Sequence, residues 1–90
     1  MDSSALLTML KVDLGISTTT SYDERLTQYL ATAQAEIARE GGFLEPSSTD
    51  DMALVVMYAA WLWRKRDNME GMPRMLRYAL NNRIFQEKMA

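Results

Sequence analysis

The chain has 90 residues, 48% of them hydrophobic, and a formal net charge of -2. A chain of this length forms one domain, residues 1–90, with one modest core. Its balance of apolar and charged residues excludes both a disordered chain and a strongly basic nucleic-acid binder. It contains neither cysteine nor histidine, which excludes disulfides, thiol chemistry and the commonest general base and metal ligand.

The charged residues are unevenly distributed along the chain. Residues 1–63 contain three basic and nine acidic residues, whereas residues 64–90 contain seven basic and three acidic residues. Such an asymmetry indicates contacts with partners, or contacts between unlike segments of neighbouring chains packed head to tail.

The first predicted helix covers about residues 3–14. Small polar residues at its start are N-cap candidates, and leucines then recur at helical spacing until Gly15 ends the run. The leucines are Leu6, Leu7, Leu10 and Leu14. Ile16 is expected to fold back against this helix.

The second predicted helix covers about residues 22–40. It begins at a capping box, in which the Ser21 side chain accepts from the backbone of Glu24 and the Glu24 side chain bonds back. Apolar side chains then form a stripe about 100° wide, typical of a helix packed on a core. They are Tyr22, Leu26, Tyr29, Leu30, Ala33 and Ile37. Gly41 and Gly42 end the helix.

Three alanines lie on the opposite side of this second helix. They are Ala31, Ala35 and Ala38. One interpretation is that alanine is simply the best helix former. The other is that these small side chains let a neighbouring subunit approach closely.

The third predicted helix, about residues 49–66, is the centre of the predicted fold. Twelve consecutive residues from Met52 to Trp63 carry no charge. A run of this length is too short to cross a bilayer, which needs about 20 residues, so no membrane contact is expected. It is typical of a helix that is covered by protein on nearly every side.

Both ends of the third helix carry residues that favour them. Ser48 or Thr49 is the predicted N-cap. Asp50 and Asp51 begin the helix and three cations follow its apolar run, matching the polarity of the helix dipole. The cations are Arg64, Lys65 and Arg66. The predicted fold is therefore all-α, a small bundle of four helices around a central apolar helix.

The fourth predicted helix, about residues 73–88, opens with Pro73, which is favoured in a first turn. Its apolar residues form two ridges separated by polar and charged positions. Leu76, Leu80 and Ile84 form the first ridge. Met75, Tyr78 and Phe85 form the second. One ridge is expected to pack on the core, and the other is available to a partner.

No motif of enzyme chemistry is present. The two acidic pairs, at residues 23–24 and 50–51, both open predicted helices, where the dipole favours acidic side chains. There is no glycine-rich phosphate loop and no nucleophile elbow. The sequence predicts a protein that is not an enzyme and has no cofactor or metal site.

Two groups of residues allow more than one interpretation. Residues 64–66 either form a favourable helix C-terminus with solvated side chains or contact DNA phosphates. Trp61 and Trp63 point to different sides of the third helix, where they complete the core or anchor an interface.

Four parts of the chain carry a family resemblance. They are residues 10–13 (LKVD), 22–26 (YDERL) with the apolar continuation over 31–37, 57–62 (MYAAWL) and 72–81 (MPRMLRYALN). In helix order, size and apolar texture, almost the whole chain resembles the small head-to-tail connector, or adaptor, proteins of long-tailed bacteriophages, which sit beneath the portal ring.

The resemblance implies a structural virion protein made in the host cytoplasm. Such a protein assembles into a ring of about twelve subunits, joins the head to the tail and leaves a channel for DNA. The implied partners are other copies of the chain, the portal protein and tail-side connector proteins, with only non-specific contact to DNA. The alternatives are a small helical DNA-binding regulator or a subunit of an unrelated helical complex.

The expected contact residues lie at the end of the third helix and on the fourth. The expected subunit or partner contacts are Trp61, Trp63, Arg74, Met75, Arg77, Tyr78 and Phe85. The two arginines among them are expected to pair with acidic residues of the neighbour. The alternative role expected for the basic triplet is to face the DNA channel, which would involve Arg64, Lys65 and Arg66.

Overall fold

A computed structural model describes residues 3–66 and 71–89, with all side chains in these ranges except those of residues 87 and 89. Within these ranges the chain forms four α-helices and no strand. They are α1 (Ser3–Leu14), α2 (Asp23–Arg39), α3 (Thr49–Lys65) and α4 (Arg74–Met89). The predicted all-α fold is confirmed, and each predicted helix boundary lies within one residue of the observed one.

Helix α3 is the centre of the bundle, as its composition predicts, and it packs against each of the other three helices. Its buried apolar side chains point toward all three neighbours. They are Leu54, Val55, Val56, Tyr58, Ala59 and Ala60. A helix this apolar is stable in a chain of 90 residues because its neighbours cover most of its circumference.

Contacts at the helix ends show that successive helices run in opposite directions. Asp13, near the end of α1, lies 3.7 Å from Arg64, near the end of α3, so α1 and α3 run the same way. The ring of Tyr22, just before α2, meets the ring of Trp63 near the end of α3, so α2 runs against α3. Helix α4 also runs against α3, since its late residue Arg83 reaches the first turn of α3.

The core is made of aliphatic side chains from all four helices. The largest fully buried ones are Leu6, Leu10, Leu26, Leu30, Ile37, Val55, Leu76 and Leu80. Burying a side chain of this size contributes about 1.5 to 3 kcal/mol. The buried ridge of α4 therefore holds the fourth helix on the bundle.

Glycines end α1 and α2 by the same backbone arrangement. Gly41 has φ of +104°, its N–H donates to the Ala38 carbonyl, and the N–H of Gly42 donates to the Ile37 carbonyl. This is a Schellman motif, which needs a residue that adopts positive φ easily. Gly15 has φ of +73° after α1, and Ile16 packs on the core as predicted.

The two predicted N-caps have different outcomes. The Ser48 side chain accepts from the Asp51 N–H at 3.2 Å, so the predicted cap of α3 is confirmed. The capping box predicted for Ser21 and Glu24 is wrong. Helix α2 begins at Asp23, which makes Tyr22 the N-cap, without a side-chain hydrogen bond. Ser21 lies one residue too early, and its N–H donates to the Thr19 hydroxyl instead.

Candidate interaction surface

The two apolar ridges of α4 lie in different environments. In the first ridge Leu76 and Leu80 are buried and Ile84 packs against the core. In the second ridge the exposed fractions are 78% for Met75, 69% for Tyr78 and 63% for Phe85. The predicted division of α4 into one buried and one exposed ridge is confirmed. The second ridge is hereafter called the exposed ridge.

An apolar groove lies beside this ridge, between α1 and α4. Its floor is formed by Ala53 and Met57, which are on the exposed side of α3. One wall comes from α1 and the other from α4. The wall residues are Thr8, Met9, Val12 and Asp13 of α1, and Arg74, Met75, Tyr78, Ala79 and Asn82 of α4. We call this the α1/α4 groove.

The groove consists of two adjoining hollows of about 460 and 470 Å³ that share Met57. Val12 is 64% exposed and Met57 is 40% exposed. Exposed hydrophobic residues scattered singly are normal on a small domain, but contiguous apolar surface marks interaction sites. The groove and the exposed ridge together form such a surface.

The two arginines expected to pair with a neighbour differ in their contacts. The Arg77 guanidinium is engaged within the chain, with Nη1 2.8 Å from Oε1 of Glu40, and this hydrogen bond raises the pKa of Arg77. Arg74 is exposed and forms no ion pair with any described residue. Arg74 therefore stands at the start of α4 with its charge uncompensated by the part of the chain described.

The ends of the groove carry opposite charge. Asp50 lies at the N-terminal end of α3 in a neighbouring hollow, which shares Ala53, Met57, Ala79 and Asn82 with the groove. Asp50 is exposed and has no ion-pair partner among residues 3–66 and 71–89. Arg64 and Arg74 lie toward the other end, where Arg64 also meets Asp13. Asp13 compensates Arg64 at one end, and Asp51 pairs with Arg83 at the other. The charges that remain without a described ion-pair partner are therefore Arg74 at one end and Asp50 at the other.

Both tryptophans make contacts within the chain and are half-buried. The Trp61 Nε1–H donates to the Gly71 carbonyl at 3.1 Å, and its ring meets the Tyr58 ring edge to face. The Trp63 ring meets Tyr22 and Tyr29 at centroid distances of 5.0 and 6.3 Å. They point to different sides of α3, as their spacing predicts, and both pack against the core.

The basic triplet at the end of α3 folds back on the chain. The Lys65 ammonium lies 4.3 Å from the Trp61 ring centroid, and the Arg66 guanidinium lies 3.6 Å from the Trp63 ring centroid. Arg64 pairs with Asp13. Cations stacked on tryptophan in this way gain about 0.5 to 1 kcal/mol at exposed sites. The sequence contained this signal, because residues four and three apart lie on one helix face.

A buried ion pair joins α3 to α4, and sequence analysis missed it. Asp51 is 3% exposed, and its Oδ1 lies 2.8 Å from Nε of Arg83. Its Oδ2 accepts from the Glu45 N–H at 2.8 Å, and Arg83 also donates to the Phe43 carbonyl. The available signal was the position of Arg83 beside the buried ridge of α4, where a cation needs a partner.

Opposing effects set the pKa of Asp51. Burial by itself raises the pKa of this carboxyl group, because it disfavours the charged form. Hydrogen bonds from the Arg83 side chain and the Glu45 backbone, together with the positive charge of Arg83, outweigh burial and lower the pKa below its usual value. The carboxylate is therefore ionised at neutral pH and acts as a structural acceptor.

The acidic side chains of the described residues do not gather into a metal site. No group of three or more potential metal-ligating side chains occurs within residues 3–66 and 71–89. Of the acidic pair at the start of α2, Asp23 binds Lys11 at 2.9 Å. Within the same ranges no helix combines the length and apolar character needed to cross a bilayer. The exposed ridge with its groove remains the candidate interaction surface.

Comparison of the chain with protein-family models, with curated proteins and with solved structures gives no match.

Proposed function

We propose that this chain is a structural subunit of a phage head-to-tail connector, which forms a ring beneath the portal and leaves a channel for DNA. The observation that supports this proposal most is the exposed ridge of α4. Three large apolar side chains of this helix are exposed to solvent, while the side chains of its other ridge pack in the core. Such a helix has a second surface to contact, which is the requirement for an assembly subunit.

The chemistry of the ridge suits a protein contact. Tyr78 and Phe85 are aromatic, a class enriched in the centres of interfaces, and Met75 adapts its shape to its neighbour. Arg74 beside them provides a charge for an acidic residue of the adjacent subunit. Arg77 would act at the edge of the contact through its pair with Glu40.

The basic triplet is better suited to non-specific contact with DNA phosphates than to sequence-specific recognition of DNA bases. Lys65 and Arg66 lie over tryptophan rings and Arg64 lies beside Asp13, so their side chains are held against the protein. Arg64 and Arg66 are nevertheless exposed, so the triplet presents positive charge at the surface. In the proposed ring they face the channel, and Trp61 and Trp63 position them.

The experiment that tests the proposal is native mass spectrometry of the chain mixed with the portal protein of the same phage. We expect a complex with about twelve copies of the chain, because the ring matches the portal's symmetry. Failure to bind the portal, or a dimer that binds one DNA sequence in preference to others, would contradict the proposal.

Substitutions on α4 test whether the exposed ridge forms the contact between subunits. Tyr78→Ser with Phe85→Ser is expected to abolish ring formation while the chain stays folded, because both side chains are exposed. Phe43→Ser is the matched control, since Phe43 is an aromatic residue of similar exposure outside α4. If the double variant still forms rings, the ridge is not the contact.

A further inference from the structure

The α1/α4 groove has the shape and chemistry to accept a helix. It runs along the exposed side of α3, with α1 and α4 as walls and Met57 at its middle. Its lining is almost wholly apolar apart from Thr8, Asp13, Arg74 and Asn82. An amphipathic helix that lays its apolar face into such a groove is a common mode of protein recognition.

Helix α4 forms one wall of this groove through Met75 and Tyr78 and presents its exposed ridge on the same face. Its exposed ridge offers Met75, Tyr78 and Phe85, which contact no core of their own. Helix α4 has 16 residues and is therefore about 24 Å long, comparable to the 17-residue α3 that floors the groove. The groove and the exposed ridge share Met75 and Tyr78, so they form one surface on a single face of the molecule.

We propose that two copies of the free chain associate about a twofold axis, with α4 of each copy lying in the α1/α4 groove of the other. In this arrangement the two α4 helices lie antiparallel to each other. An isologous contact of this kind uses the same surface patch on both copies, so every interaction occurs twice.

The charged residues at the two ends of this surface favour a second copy of the chain as the partner. Antiparallel pairing brings the N-terminal end of one α4, with Arg74, toward the N-terminal end of the other copy's α3, with Asp50. Both residues are exposed, and neither has an ion-pair partner among the described residues. The contact therefore creates two Arg74–Asp50 pairs around an apolar centre, one on each side of the axis.

This inference does not rest on the proposed function, because it concerns the chain without a portal. The two are compatible in one way. The dimer covers the exposed ridge, so subunits would have to separate before they enter a ring. A free chain held as a dimer would then assemble on the portal and not elsewhere.

The test is sedimentation velocity of the full chain over a concentration series, with charge-reversal variants. Wild type is expected to be a dimer at tens of micromolar. Arg74→Glu alone and Asp50→Arg alone are each expected to weaken dimerisation tenfold or more, because each places two pairs of like charges in the contact. Arg25→Glu is the control, since Arg25 is an exposed cation on α2 away from the groove.

Mixing the two single variants gives the sharpest result. In a heterodimer of Arg74→Glu and Asp50→Arg, Glu faces Arg at one contact and Arg74 faces Asp50 at the other. Mixing the two weakly associating variants should therefore restore a dimer of wild-type affinity. Circular dichroism of each variant establishes that it is folded.

Four results would overturn the inference. They are a wild-type chain that is monomeric at 10 to 20 times these concentrations, a free chain that closes into a ring, single variants that dimerise like wild type, and a mixture that stays monomeric. A monomeric wild type would leave the groove to a helix of another protein. A closed ring formed by the free chain would likewise replace the twofold contact.

Discussion

At the scale of single residues, Asp51 has the most consequential environment. One carboxylate joins three parts of the chain, because it binds Arg83 of α4, the backbone at Glu45, and the first turn of α3 to which it belongs. Removing one partner of a buried ion pair leaves the other charge uncompensated, which costs more than the pair's net contribution. The neighbouring Asp50 has no such contacts.

Asp51→Ala is therefore expected to destabilise the dilute, monomeric chain by about 3 kcal/mol, because the partly buried Arg83 loses its carboxylate partner. Asp50→Ala, one residue away on the same helical turn, is the matched control, and a change within about 0.5 kcal/mol is expected for it. Urea denaturation measures both. Equal losses for the two variants would show that the acidic pair acts only through the helix dipole.

The pH dependence of stability follows from the same group. Since the pKa of Asp51 is lowered in the folded chain, the stabilisation is complete above the unfolded pKa, near pH 4. It is lost as the pH falls through the folded pKa. The difference in unfolding free energy between wild type and Asp51→Asn should be constant from pH 5 to 7 and shrink below about pH 4. A difference that persists unchanged to pH 2.5 would exclude Asp51 as its source.

At the scale of helices, the chain depends on how each helix ends. Gly41 is held at φ of +104°, where a side chain is strained whatever the space around it. Gly71 has no positive φ and would place a methyl group in open space. Alanine substitution at these two glycines therefore distinguishes backbone strain in the folded chain from reduced flexibility of the unfolded chain.

Gly41→Ala is expected to destabilise the chain by about 1 to 2 kcal/mol, because an L-residue pays this much for left-handed geometry. Gly71→Ala is expected to be neutral or slightly stabilising, since it restricts the unfolded chain without strain. Thermal unfolding followed by circular dichroism compares them. If the two variants had the same thermal unfolding midpoint, the positive φ of Gly41 at the end of α2 would not contribute to stability.

Substitutions in the two ridges of α4 are expected to have different effects on stability. Leu80 is fully buried, so Leu80→Ala is expected to cost about 3 kcal/mol through lost burial and the cavity that remains. Tyr78 is 69% exposed, and Tyr78→Ala should change the stability of the dilute monomer by no more than about 0.5 kcal/mol. Urea midpoints at low protein concentration test the pair. A large loss from Tyr78→Ala would mean that the exposed ridge serves the fold.

At the scale of the whole molecule, the central helix α3 links the other three helices into one bundle. Because α3 packs against each of the other helices, the loss of any one neighbour uncovers part of the same apolar surface. Small domains organised in this way unfold in a single cooperative step.

The expected result is that tryptophan fluorescence and far-ultraviolet circular dichroism report the same unfolding midpoint. Trp61 and Trp63 both lie on α3 and report its surroundings, while circular dichroism reports all four helices. Guanidinium titration followed by both signals tests this. Two separate midpoints would show that α4 leaves the bundle before the other helices unfold.

The sequence by itself determined the helices and their faces. Helix length, capping residues and terminal glycines act within a few residues along the chain, so their effects can be read locally. The periodicity of α4 likewise predicted two apolar ridges, one to be buried and one to stay exposed. The capping box at Ser21 failed because a shift of one residue in the helix start changes the N-cap, and sequence patterns do not resolve such a shift.

Only the tertiary structure decided which charges meet and which surfaces remain open. Asp51 and Arg83 are 32 residues apart, and no local pattern joins them. The groove exists because α1 and α4 lie on either side of α3, a relation set by packing of the whole bundle. Local forces act between near neighbours in sequence, whereas pairs and grooves depend on where each helix comes to rest.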